Sequence, residues 1–371
     1  MPYQSVDALQ NALARSVFER THAPKKAAGR ALGTLVELIT FYMLRDWNLE
    51  QDLAIERGLP EYGNASISHN VEFTLHHSKH VATKDVPVDG RALTPRVICT
   101  SLGDLRPRHA SIATGRALLR NGVVRHACNI ADSAEHVWNA YLAGPNNYVV
   151  SQLDRRPYAM FECKRVGVED GQKKGPQTIE KAKQGAYVAR SVSGLQRVAR
   201  RDGSVAAIVE DAAGKLVTYD DYYGFLRDAI AAGNSDALKN VVLTVGVVSN
   251  HGNWFTATDQ NKEMKVLAQS YDWLLFLTDS ALAEFIETAL LGDSSRFGAV
   301  RRAFAASHSG QARTTTFTKV TIDLQADYEL TQYFAEVRPW DRWLNVIAPF
   351  QPLSNLKTDL HKLSTLKGVT P

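Results

Sequence analysis

Cysteine is scarce in this chain. Cys99, Cys128 and Cys163 are the only three in 371 residues, odd in number and without a CxxC pair. That argues against a zinc ribbon or a disulfide framework and points to a reducing compartment, the cytoplasm by default. Long apolar runs are missing too: no stretch of about 18 apolar residues appears, so no membrane span is expected. The first thirty residues lack an apolar h-region, and no secretory signal is expected. There is no P-loop and no GxSxG, which leaves nucleotide-driven and serine-hydrolase chemistry without support. The histidines of HHSKH, His76, His77 and His80, have no cysteine or acid beside them to complete a zinc site. Internal repeats and low-complexity linkers are also absent.

What is present is enough for a large core. The chain is 44% apolar, and its 22% of charged residues are mixed in sign. The length fits one large domain with insertions, or two domains. The net charge of +4 and pI near 8.8 are mildly basic and compatible with a polyanionic partner.

Periodicity predicts helices over 5–20 and 31–47, a loop over 60–70, and an alternating strand in VEFTLHH (71–77). RVICT reads as a short strand. DSAEHVWNAYL (132–142) reads as a helix, and YVVSQL followed by DRRP and YAMFECKR as a hairpin. TIEKAKQGAYVARSVSGLQRV (178–198) is an amphipathic helix. KNVVLTVGVVSN (239–250) is a strand covered on both faces, and 262–292 forms one or two helices. This order implies an α/β fold: a mixed central β-sheet flanked by helices, with N- and C-terminal additions.

Chemistry concentrates in PYAMFECKR (157–165). Residues two apart on a strand share a face, so Glu162 and Lys164 stand side by side while Cys163 points into packing. A carboxylate there can ligate Mg²⁺, with the Cys163 carbonyl as a further ligand. The lysine can orient a water and offset charge on a scissile phosphate. The loop and helix that follow supply Lys173, Lys174, Lys181 and Lys183 for DNA phosphates, and Gln177 and Gln184 near one helix face.

Helix, hairpin, ExK on the second strand and a following helix together resemble the PD-(D/E)XK nuclease superfamily, which includes most type II restriction endonucleases. Pro145-Asn146 stands 16 positions before Glu162, where the family has Pro-Asp. The resemblance covers residues 132 to about 290. It implies a restriction-endonuclease-like core and Mg²⁺-dependent, sequence-specific hydrolysis of double-stranded DNA that leaves a 5′-phosphate. It also implies a homodimer and a companion DNA methyltransferase that protects the host genome. Asn146, Glu162 and Cys163 would hold the metal, with Asn146, Glu162 and Lys164 as catalytic residues. Asparagine in place of aspartate leaves three explanations open: a natural variant, a deliberate disabling exchange, or a first acid that is Asp154 instead. Glu135 and Glu37 are rival candidates for a further acid from a helix. Lys25-Lys26-Arg30, Arg106-Arg108-His109 and Arg197-Arg200-Arg201 would extend a DNA surface.

The corresponding division is 1–125, mainly helical, for recognition or dimerisation; 126–300 for the catalytic core; and 301–371 as a packed extension. Two alternatives stand beside this reading: a repair or recombination nuclease of the same superfamily, and a catalytically dead DNA-binding protein with this fold.

Overall fold

In the computed structural model the described residues are 6–65, 67, 70–166, 176–194, 196–211, 213–250, 255–260, 262–307 and 320–366. The fold is mixed α/β. A six-stranded mixed sheet runs in the order Leu53–Arg57, Val71–Leu75, Ala159–Val166, Leu243–Asn250, Trp273–Leu277 and Leu344–Ala348. The three strands at the centre, from Ala159 to Leu277, are parallel, and the flanking pairs are antiparallel.

Helices cover both faces, and each face has its own reason. Phe161, Cys163, Val245 and Val247 point to one side and pack with the helix Pro24–Asp46, whose Leu32, Leu35, Val36 and Ile39 are fully or almost fully buried. That helix begins on a proline, whose fixed φ suits the first helical position. By length and composition alone it could cross a membrane, but 78% of its most apolar window is buried in the protein, as befits a core helix. Met160, Val248, Leu274 and Phe276 point to the other side, beneath Ala186, Val188 and Ala189 of the helix Pro176–Ser193 and Met264 of the helix Lys262–Ala268. The helix Pro176–Ser193 belongs to the crossover that parallel neighbours require.

Between Val71–Leu75 and Ala159–Val166 the chain builds a second, five-stranded antiparallel sheet. Its order is Ser78–Asp85, Asn147–Asp154, His136–Leu142, Ala127–Asp132, Ser111–Ile112.

Several sequence expectations change here. Residues 136–142 are a strand, not part of a helix. Val137 and Trp138–Ala140 are all buried, so the polar alternation that marks a strand is missing. The hairpin does not form: Asn147–Asp154 pairs within the second sheet, while Ala159–Val166 pairs in the first. RVICT belongs to the helix Pro95–Ser101, because Thr94 accepts the Val97 amide at 3.3 Å and Pro95 takes the first position. Within 262–292 the apolar run Trp273–Leu277 is a strand buried on both sides. The central sheet crosses the divisions at 125 and 300. The central sheet takes two strands from before residue 125 and one from after 300, so the core is not confined to 126–300.

A buried polar network ties the sheet to its crossover. Asp272 accepts from the Thr244 amide and hydroxyl, each at 2.8 Å, from Tyr222 at 2.9 Å and from Arg197 at 3.3 Å. Removing one member of a buried ion pair strands the other. Asp272→Ala is therefore expected to lower the unfolding free energy by about 3–5 kcal/mol in urea titrations. A loss below about 1 kcal/mol would contradict this role.

Candidate active site

The ExK strand, Ala159–Val166, runs antiparallel to Val71–Leu75, with Ala159 opposite Leu75 and Phe161 opposite Phe73. One step further along that register, Glu162 faces Glu72. Residues directly opposite in an antiparallel pair share a face, with Cβ atoms about 5 Å apart, so two carboxylates stand together at the sheet end.

Lys164, two residues on, meets both. Its Nζ is 2.5 Å from Glu72 Oε1 and 3.3 Å from Glu162 Oε2. The Cys163 amide donates to Glu72 Oε2 at 3.3 Å. Glu162 is 1% exposed, while the Glu72 and Lys164 side chains keep 14% and 21% of their surface. The Cys163 side chain points the other way, into the core, and burial pushes its thiol pKa up, so its sulfur is inert packing.

Two glycines and a tyrosine close the back of the site. A Cβ on Gly185 would lie 2.9 Å from Glu162 Oε2 and 2.8 Å from the Tyr271 hydroxyl oxygen. Gly246, paired with Glu162 on the neighbouring strand, would place a Cβ 2.7 Å from the Tyr271 ring. Glycine at both positions lets the helix approach the strand and the ring lie against the sheet. Tyr271 immediately precedes Asp272, whose hydrogen bonds hold the entry to the strand Trp273–Leu277.

The electrostatics are those of like charges forced together. Burial, then Glu162 alongside, raises the Glu72 pKa well above the ordinary 4.5, with Lys164 opposing. Burial alone would lower the Lys164 pKa, but Glu162 and Glu72 outweigh it and raise it, so the lysine stays cationic. Glu37, on the helix Pro24–Asp46, adds a third negative charge that pushes Glu72 and Cys163 up.

Other sequence candidates fall elsewhere. Asn146 is exposed in the turn between His136–Leu142 and Asn147–Asp154 of the second sheet, where its carbonyl accepts from Val86. Glu72, not Asn146, stands beside Glu162. Only a neutral amide was in view at the Pro-Asn position, whereas the acid sits ninety residues before Glu162. Its sole signal is a glutamate at the start of an alternating strand. Asp154 lies between His77 and His136 at 3.7 and 3.8 Å, at the opposite end of the ExK strand. Glu135 is exposed in a turn of the second sheet. Lys173 and Lys174 lie outside the described residues. Gln177, Gln184, Lys181 and Lys183 fall on the helix Pro176–Ser193, with their side chains outside the described residues. Lys25, Lys26 and Arg30 are exposed on the first turns of their helix, whose Gly29 carbonyl accepts from Arg165, next to Lys164. Arg197 and Arg200 are engaged by Asp272 and Asp220.

The donor set fits a hard divalent cation. Two oxygen-bearing carboxylates that repel each other, with a backbone carbonyl on the same strand end, match the few protein ligands Mg²⁺ takes alongside water and phosphate. Among the described residues no group of three or more His, Cys, Asp or Glu that could hold a metal ion is assembled. No family model, no curated protein and no solved structure matches this chain.

The raised pKa has a consequence for stability. A folded state that binds the Glu72 proton more tightly than the unfolded state is favoured at acid pH. It loses that advantage as pH rises from near 4.5 toward the raised value. In EDTA, Glu72→Gln is expected to melt above the parent at neutral and alkaline pH and to converge with it at about pH 5. Lys164 keeps Glu162 as its counter-ion. A variant that melts lower at every pH would show that the acid pair is not strained.

Proposed function

We propose that this chain is a Mg²⁺-dependent deoxyribonuclease that hydrolyses phosphodiester bonds in double-stranded DNA, in the manner of a type II restriction endonuclease. The observation that carries this reading is the convergence of Glu72, Glu162 and Lys164 at one end of a helix-flanked mixed sheet. The helix-flanked mixed sheet and the acid-lysine strand support the reading; the helix over 132–142 and the hairpin of the PD-(D/E)XK resemblance are not formed, and Glu72 takes the part given to Asn146.

In this reading Glu72, Glu162 and the Cys163 carbonyl would hold Mg²⁺. When bound, the metal polarises the phosphate and lowers the pKa of a coordinated water. Lys164, held cationic by the two acids, orients the attacking water and offsets charge gathering on the phosphate. Its raised pKa makes it a poor proton acceptor, so it positions rather than acting as general base. Tyr271 and the backbone at Gly185 keep bulk water from the rear of Glu162. Attack at phosphorus breaks the P–O3′ bond and leaves a 5′-phosphate. A homodimer, a protecting methyltransferase and a cytoplasmic setting complete the proposal.

The test is incubation of unmethylated phage or plasmid DNA with Mg²⁺. Discrete fragments support a restriction enzyme; cleavage set by DNA structure instead of sequence favours a repair or recombination enzyme. Lys164→Ala is expected to lower the rate by roughly 10²–10³-fold, and Asn146→Asp to leave it unchanged. No cutting with either Mg²⁺ or Mn²⁺ would overturn the proposal and favour a DNA-binding protein without catalysis.

A further inference from the structure

The positive charge of this chain is not spread evenly. Residues 76–158, the insert between the two acid-bearing strands, hold eleven Lys and Arg against six Asp and Glu, a net of +5. The whole chain is +4, so everything outside the insert is slightly negative. The active site shares that sign, with three glutamates around one lysine. Without a metal, such a site repels phosphate, so a polyanionic substrate must be held somewhere else.

Part of the insert's charge is spent on structure. Arg125 and Arg116 both reach Glu56, at 2.6 and 3.2 Å, and Arg155 pairs with Asp132. The Glu56 contacts bring the insert against the strand Leu53–Arg57, beside the end that carries Glu72. The rest is displayed. Arg96, Arg106 and Arg108 are exposed, and among the described residues none has an acidic partner within 4 Å. An open groove of about 650 Å³ is lined by Lys84, Arg91 and Arg96; the hydroxyls of Thr100, Ser101 and Tyr148 beside them bond within the protein, to the Arg96 and Ile98 carbonyls and to each other. Asp85 also lines it, and Asp89 engages Arg91 at 3.4 Å.

We infer that this face of the insert, the Lys84–Arg91–Arg96 groove and the adjoining Arg106–Arg108 loop, is where the sugar-phosphate backbone of double-stranded DNA docks. The inference rests on the nuclease reading for the identity of the polyanion, and on charge for the place. Exposed arginines without an acidic partner, as Arg96, Arg106 and Arg108 are among the described residues, are the donors that position a protein on phosphates without reading sequence.

The test measures binding of a labelled DNA duplex by fluorescence anisotropy in EDTA, across a salt series. The triple variant Arg96→Glu, Arg106→Glu, Arg108→Glu is expected to bind at least about tenfold more weakly. Its slope of log K against log salt should be shallower by about three, one per lost phosphate contact. Reversing three exposed cations outside the insert, Lys215, Arg227 and Lys362, should leave both quantities near the parent's. Equal losses in the two sets, an unchanged triple variant with a native melting curve, or tighter binding of an RNA duplex would each overturn the assignment. Because the experiment cuts no bond, it separates from the nuclease reading. A parent that cleaves DNA beside an unaffected triple variant sinks only the docking face. Charge-dependent binding without cleavage sinks only the catalysis.

Discussion

Two carboxylates facing each other across adjacent strands set the terms for the whole site. Glu162 is enclosed and Glu72 partly so, and neither like charges nor burial favours ionisation. Lys164 compensates in part by lying against both. One ammonium cannot neutralise two carboxylates with Glu37 also nearby, and the imbalance appears as a Glu72 pKa raised well above the ordinary 4.5. A second positive charge, from a divalent cation, would offset that repulsion and favour the ionised pair. Replacing the pair with apolar residues would relieve it equally, so a core selected for stability alone has no reason to keep it.

The scaffold is arranged to hold this conflict in place. The register between Val71–Leu75 and Ala159–Val166 fixes which acids meet, since a slip by one residue would turn Glu162 into the opposite core. The parallel neighbour contributes Gly246, the covering helix contributes Gly185, and Tyr271 fills the space both leave open. Behind Tyr271, Asp272 fastens Thr244, Tyr222 and Arg197. Sheet register, helix approach and a buried polar network thus all bear on the position of one carboxylate.

Much of the site was legible in PYAMFECKR because the two-residue period of a strand is a strict rule: Glu162 and Lys164 share a face and Cys163 does not. The helices around 31–47 and 178–198 and the strand at 239–250 were legible from periodicity. What could not be read was long-range pairing. Glu72 becomes Glu162's partner only through a strand contact that spans an insert of some eighty residues, and no local pattern encodes that register. The insert itself misled where burial on both faces erased alternation, as at Val137–Ala140, and where Thr94-Pro95 started a helix in a β-branched run. Asn146 drew attention through its sequence spacing from Glu162, but it belongs to a different sheet.

The most direct test of the account is a calorimetric titration of the parent chain, Glu72→Gln and Asn146→Asp with Mg²⁺ and Mn²⁺, without DNA. The parent is expected to bind metal with release of protons, Glu72→Gln to lose this binding, and Asn146→Asp to behave as the parent. Metal binding that survives Glu72→Gln, or that appears only with Asn146→Asp, would contradict it and move the first acid away from Glu72.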